Sequence, residues 1–371
     1  MATPLCPYFG QCGGCSYQDM DYSKQLELKK EKIIKTLKID ALQVFSGQEY
    51  HYRQRMDMVF HPEGLGFRKR GSWAKIIKVE KCVISNQKLN QFLNEVSQFF
   101  TEVDTFDARA NKGTFRYAVI RTPPDDSSIS IVLNQSSPHI SQAEKKVAEF
   151  ASQTLAHNVI ITYVPPNRDV SVSEEYSVIK GSEWLQEEYL GKKFWYHVQG
   201  FFQNNHQVAE KMHAYCQNLI KNYGDKDSVL LDLYGGVGPF AILNAQFFKE
   251  AMIIDNSAQA IKAAAMNIKE NKASNVKPIL LDSKHFIKAE LPRPGLVVAD
   301  PPRSGLHPKV IKKLNELRPE KIIYVSCNVK QLRHDLAQLK NFCLKSAALF
   351  DLFPQTPHIE TVVELEGVRP S

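Results

Sequence analysis

The second half of the chain alternates continuous apolar runs with amphipathic stretches, and few folds accept that pattern. SVLLDLY, EAMIIDN, VKPILLDS, LVVADPP and KIIYVSCN are apolar nearly throughout instead of alternating with polar residues. Strands that read this way are buried on both faces. Between them, GPFAILNAQFF, AQAIKAAAMNIKENKA, HPKVIKKLNEL and VKQLRHDLAQLKN carry helical spacing. Strand and helix in turn predict a parallel sheet with helices on both sides, a Rossmann-like α/β unit. One more helix is expected around 203–223, carrying Val208, Met212, Tyr215, Leu219 and Ile220. The unit begins near residue 200.

The first half reads differently. Residues 21–38 predict an amphipathic helix, with Leu26, Ile33, Ile34 and Leu37 near one face and Lys29, Lys30, Lys32, Lys35 and Lys38 crowding the rest. Residues 50–84 read as strands joined by turns, with one turn at Glu63-Gly64. Further strands are expected at 117–122, 128–134, 158–164 and 194–198, and a helix at 141–155. The division expected is a cysteine segment with its basic helix at 1–40, a strand-rich α+β region at 41–199 and the α/β unit at 200–371.

LLDLYGGVGPF ends a strand at Asp232 and turns on Gly235, Gly236 and Gly238. Glycines there let backbone approach a ligand closely. The next strand ends in Asp255, placed to accept hydrogen bonds from a ribose diol, and the third ends in Asp282, a partner for an adenine amine. GGVG is not GxGxxG, and no GxxxxGK[ST] occurs, which excludes the dinucleotide and P-loop readings. Acids at three successive strand ends suit S-adenosylmethionine.

The fourth strand runs into Asp300-Pro301-Pro302-Arg303, where two prolines stiffen the loop that carries Asp300. The fifth ends at Cys327, and Glu360 stands where a loop meets the run TVVELE. Ligands bind outside the carboxyl ends of parallel strands, so Asp300 and Cys327 should share a crevice with the donor site. Taken singly, a strand-end cysteine is more often a small buried hydrophobe, and a glutamate after a loop is usually solvated. Together they suggest a nucleophile, an orienting acid and a base, the set that methylation at pyrimidine C5 needs.

DLYGGVGPF, DPPRSGL, YVSCNVK and HIETVVEL closely resemble the RNA 5-methyluridine (uracil-C5) methyltransferase family over about residues 200–371. The resemblance implies Cys327 as nucleophile and Glu360 as base. It also implies contacts from Gln203, Tyr234, Asp255 and Asp300 to cofactor or target base. Two other readings stand beside it: a non-catalytic iron–sulfur RNA-binding protein, and an amino-group methyltransferase acting through DPPR.

Cys6, Cys12 and Cys15 crowd the N-terminus, and Cys82 stands alone. Four thiolates suit zinc or an iron–sulfur cluster equally on ligand count. In the resembling family this arrangement binds a [4Fe-4S] cluster. Cys216 and Cys343 are left as ordinary thiols.

The chain carries 47 Lys+Arg against 40 Asp+Glu, a formal charge of +7. Between Arg53 and Lys81, eight basic residues meet three acids, so most of that excess lies there. Tyr50, Tyr52, Phe60, Phe67 and Trp73 are interleaved, which suggests phosphate contacts and base stacking on RNA. No apolar run is long enough to span a membrane, and there is no secretory signal, so a cytoplasmic protein and a monomer are expected. Within the resembling family, the cysteine cluster without an N-terminal RNA-binding barrel before it implies 23S ribosomal RNA, with the tRNA T-loop as alternative.

Overall fold

The computed structural model describes residues 2–368. Helix α1 (Tyr22–Leu37) ends where Lys38 adopts a left-handed conformation and its N–H bonds to the Ile34 carbonyl. A short β1 (Gln43–Phe45) follows. Then comes a mixed sheet built from β2 (Arg55–His61), β3 (Gly64–Arg68), β4 (Ile76–Lys78), β5 (Phe115–Arg121), β6 (Ser128–Asn134), β7 (Asn158–Val164) and β8 (Tyr176–Lys180). Its strand order is β4-β3-β2-β5-β6-β7-β8. Helices α2 (Gln87–Phe99) and α3 (Ile140–Gln153) cover one face, around a core that includes Met58, Phe92, Ile120 and Phe150. A hairpin of β9 (Trp184–Tyr189) and β10 (Lys192–His197) and helix α4 (His206–Lys221) lead into the second half.

There the strands are β11 (Val229–Leu233), β12 (Glu250–Asp255), β13 (Val276–Leu280), β14 (Leu296–Ala299), β15 (Lys321–Ser326), β16 (Phe342–Phe350) and β17 (Glu360–Gly367). The helices are α5 (Pro239–Asn244), α6 (Ala258–Glu270), α7 (Pro308–Leu317) and α8 (Val329–Gln338). Both faces of the sheet are covered, as the apolar runs predict. On β11, Leu230 faces one core while Leu231 and Leu233 face the other; on β12, Ile253 and Ile254 divide the same way.

Three expectations need correction. The second sheet is mixed: β17 lies antiparallel between β15 and β16, and the order is β1-β16-β17-β15-β14-β11-β12-β13. β1 pairs in parallel with β16, so residues 43–45 belong to the far sheet although they stand early in the chain. The β9–β10 hairpin likewise packs on α6 in the second half's core. Finally, the buried stripe of α1 is Gln25, Lys29, Ile33 and Leu37, at four-residue spacing, and not a wholly apolar one. Lys29 is therefore no surface lysine. Helix α2 and strands β1, β8, β9 and β16 are not among the elements the sequence predicts.

Candidate functional site

A cavity of about 230 Å³ opens at the carboxyl ends of β11, β12 and β14. Gln203, Tyr234, Gly236, Asp255 and Asp300 all line it. The Gly-rich turn explains the shape. Gly238 sits at φ +89° at the start of α5, and an added Cβ would fall 2.3 Å from Ile253 Cδ1. At Gly235 an added Cβ would fall 2.9 Å from Asp232 Cγ and from Ile253 Cγ2. The turn must therefore lie flat on β12. Asp255 Oδ2 accepts from the Gly236 N–H at 2.9 Å, and Oδ1 accepts from the Ser257 N–H at 2.8 Å. The carboxylate is oriented before any ligand arrives. A cavity walled by close-approaching backbone with a fixed acid on its rim fits a nucleoside-bearing cofactor.

Asp282 does not line this cavity. Its carboxylate accepts from the Lys284 N–H at 2.8 Å and lies near Lys284 Nζ at 3.7 Å, which together hold it below the ordinary carboxylate range. The acid expected on the adenine side thus stands partly exposed beside the cavity and caps its own turn. A small cavity beside it is lined by Asp255, Asn256, Leu281 and Ser283.

The sheet brings the candidate reacting groups together. β11 pairs Leu233 with Ala299 of β14, and Ala299 pairs with Tyr324 of β15. Ser326 of β15 pairs with Thr361 of β17. Tyr234, Asp300, Cys327 and Glu360 each stand one residue beyond these pairs, so they emerge at one edge of the sheet. Cys327 lies just before Asn328, which caps α8: its Oδ1 accepts from the Gln331 N–H, and its Nδ2 donates to the Arg303 carbonyl at 3.1 Å. A cysteine ahead of a helix N-terminus faces a field that favours thiolate.

Electrostatics opposes an excess of negative charge here. Burial raises the Cys327 thiol, Glu360 and Asp300 raise it further, and Arg303 opposes them. Burial pushes Asp300 up to about 7. Glu360 is only 5 % exposed; burial and the neighbouring Asp300 push its carboxyl well up, against Arg303. Each negative charge in this group disfavours the next, and the Arg303 guanidinium is the opposing positive charge.

Cys6, Cys12, Cys15 and Cys82 all line a second cavity of about 510 Å³. The N-terminal segment docks there because Cys12 bridges to Lys69 and the Gly13 N–H bonds to the Arg68 carbonyl. Cys82 is set by Asn90 of α2, which bonds both its N–H and its carbonyl. Burial comes first in raising the thiols of Cys6, Cys12 and Cys15, and each feels neighbouring thiols in the set; Cys15 reaches about 11. Among the described residues, no three His, Cys, Asp or Glu side chains form a metal-ion cage.

The basic surface is smaller than the sequence suggests. Arg55 is held bidentately by Asp57, and Arg68 is paired with Asp169. Tyr52 and Phe60 are buried, and Phe67 packs on the core. Lys69, Arg70, Lys75, Lys78 and Lys81 remain exposed, with Trp73 59 % exposed and Arg109 5.7 Å from its ring.

Two groups escaped the sequence reading. His213 lines the first cavity, buried, with Nδ1 unpartnered and its pKa pushed down by burial to about 3. Buried Arg121 of β5 reaches across to the Gly200 carbonyl on the rim of the same cavity. Neither lies in a local motif, so no pattern exposed them.

A model of the tRNA (uracil-5-)-methyltransferase family matches residues 21–368. A tRNA (uracil(54)-C(5))-methyltransferase of Pyrococcus horikoshii is 33% identical over 365 residues, covering 97% of this chain and 85% of that protein. One of Pyrococcus furiosus is 31% identical over 368 residues, covering 97% and 84%. The crystal structure of Pyrococcus abyssi tRNA (uracil-54, C5)-methyltransferase in complex with S-adenosyl-L-homocysteine superposes with a TM-score of 0.79 at 24% identity, over 95% of this chain and 86% of that one.

Proposed function

The chain belongs to the tRNA (uracil-5-)-methyltransferase family and is an S-adenosylmethionine-dependent RNA uracil-C5 methyltransferase, and we propose that its substrate is the T-loop uridine at position 54 of tRNA. Two relatives named for that reaction, each aligned over 97% of this chain, support tRNA over the 23S ribosomal RNA favoured by the cysteine pattern.

The observation that carries the chemistry is the convergence of Cys327, Asp300 and Glu360 at one sheet edge. Cys327 adds as thiolate to C6 of the flipped uracil, and the C5=C6 electrons move toward the O4 oxygen. Gln203, Tyr234, Gly236, Asp255 and Asp300 would hold S-adenosylmethionine, which would supply the methyl group; C5 would take it as the electrons return from O4, and S-adenosylhomocysteine would leave. Glu360 then takes the C5 proton, the C5=C6 bond re-forms and the C6–S bond breaks, returning Cys327. Asp300 serves as the acceptor that orients the reacting groups. A carboxyl raised by burial is a stronger base once ionised, which suits abstraction of a carbon-bound proton.

The strand-rich half would grip the RNA through the lysines around Trp73 while the second half does the chemistry. Cys6, Cys12, Cys15 and Cys82 would hold a [4Fe-4S] cluster, which would cross-link the N-terminal segment to the first sheet. Iron and sulfide assay of anaerobically purified protein tests that assignment; zinc in their place refutes it. For the reaction, a T-arm RNA with 5-fluorouridine at position 54 should form a covalent adduct that survives a denaturing gel. Loss of fluorouridine reactivity in Cys327→Ala is expected; an adduct in that variant would refute the nucleophile. Methyl incorporation into 23S RNA fragments but not into tRNA would refute the substrate.

A further inference from the structure

The segment between β16 and β17, residues 351–359, leads directly into Glu360. It has no regular structure, and Gln355 within it sits at φ +65°. Its shape is set from outside: Phe45, Glu49, Tyr52 and Asn205 each hydrogen-bond to it, and the N-terminal segment and α1 supply the rest. Lys29 Nζ lies 2.6 Å from Asp351 Oδ1 and donates to the Phe353 carbonyl at 3.1 Å. Gln25 donates to Gln355 Oε1 at 2.9 Å and accepts from the Gln355 N–H at 3.0 Å. The Gln355 carbonyl in turn accepts from the Ser16 and Tyr17 N–H groups, just after Cys15.

These contacts are costly for a fold that needs only cohesion. Lys29 and Asp351 are 2% and 0% exposed, and Gln25 is 0% exposed. They occupy the stripe of α1 that would bury leucines in a helix serving packing alone. Replacing a buried ion pair with apolar residues is often neutral or stabilising, so such pairs serve geometry better than stability. The geometry in question is that of a loop ending at the base.

We propose that Gln25 and Lys29 are positioning residues for Glu360: through Gln355 and Asp351 they hold the 351–359 loop in the shape that presents the base to the C5 proton. The inference rests on Glu360 being that base. It makes a step-specific statement. Cysteine addition and methyl receipt do not use Glu360, whereas proton removal does. Disturbing the clamp should therefore slow only release of the methylated adduct: the C5–H bond stays unbroken and the C6–S bond persists.

The test uses the full chain with a tRNA transcript and two variants. One is Gln25→Leu. The other joins Lys29→Met with Asp351→Asn, leaving no unpaired buried charge. The expected result is a fall in kcat of about tenfold to a hundredfold, the range for a small misplacement of a reacting group. Covalent enzyme–RNA complex with ordinary uridine should accumulate on denaturing gels as kcat falls. Adduct formation with 5-fluorouridine RNA, and affinities for RNA and S-adenosylhomocysteine, should stay within about twofold of the parent. The variants break different bonds, so either one that folds decides the matter. An unchanged kcat, or a lower kcat without adduct accumulation, overturns the assignment. Absence of a fluorinated adduct in the unsubstituted enzyme would overturn the covalent reading itself, and this inference with it.

Discussion

Asp232→Asn should raise stability at alkaline pH and lower it slightly in acid. Asp232 ends β11 under the Gly-rich turn, fully buried. Its Oδ2 accepts from the Ala241 N–H at 3.0 Å, while Oδ1 has no partner. Burial, with smaller contributions from Asp300 and Asp255, pushes its carboxyl up from 3.8 to about 8, against the Ala241 N–H. Below about pH 4, folded and unfolded chains both carry the proton, so there is no penalty. Above that the unfolded chain gives it up while the folded one keeps it, and stability falls as pH rises until about 8. Roughly four pH units at about 1.4 kcal/mol each set a ceiling of about 6 kcal/mol at pH 8. Asparagine keeps the acceptor for Ala241 and has no charge to bury. Leaving its amide N–H₂ unpartnered costs about 1–3 kcal/mol, so a net gain of about 3 kcal/mol is expected at pH 8. Urea unfolding of both proteins from pH 4.5 to pH 8 measures it. The gap should close toward acid pH and open toward alkaline. A gap independent of pH, or one that widens in acid, would refute the account of a protonated buried Asp232.

Three further predictions follow from the same geometry. Gly235→Ala places a Cβ 2.9 Å from Asp232 Cγ and Ile253 Cγ2, so the turn must lift; calorimetry should show weaker S-adenosylhomocysteine binding, with stability down by about 1–3 kcal/mol. If ionised Asp300 is required, kcat/KM should rise with pH through about 7, and Asp300→Asn should flatten that limb along with lowering activity. Trp73→Ala should weaken RNA binding by about 1–3 kcal/mol if a base stacks there, and parent affinity should fall steeply with salt in filter binding; flat salt dependence would remove the basic surface from the argument.

Much of the α/β unit was legible because its signals are local. A strand buried on both faces must be apolar throughout, and the Gly-rich turn must carry glycine where φ is positive and a Cβ would strike Ile253. The motifs carrying Asp300, Cys327 and Glu360 were visible for the same reason. The first half was harder. Tyr52 and Phe60 look in sequence like Trp73, yet they are buried and Trp73 is not. A half-buried sheet leaves that choice to register and to what lies opposite.

The sequence alone determined the class of the second unit and singled out its strand-end acids and the proposed reacting groups, since each depends on residues within one strand and its following turn. Tertiary structure alone decided what meets what. It seated β1 beside β16, brought Cys82 to the N-terminal thiols and pressed Gln25 and Lys29 onto the loop before Glu360. Hydrophobic periodicity reports that a face is buried, not which partner buries it. A buried lysine looks solvated in any local pattern until the aspartate more than three hundred residues away is in place.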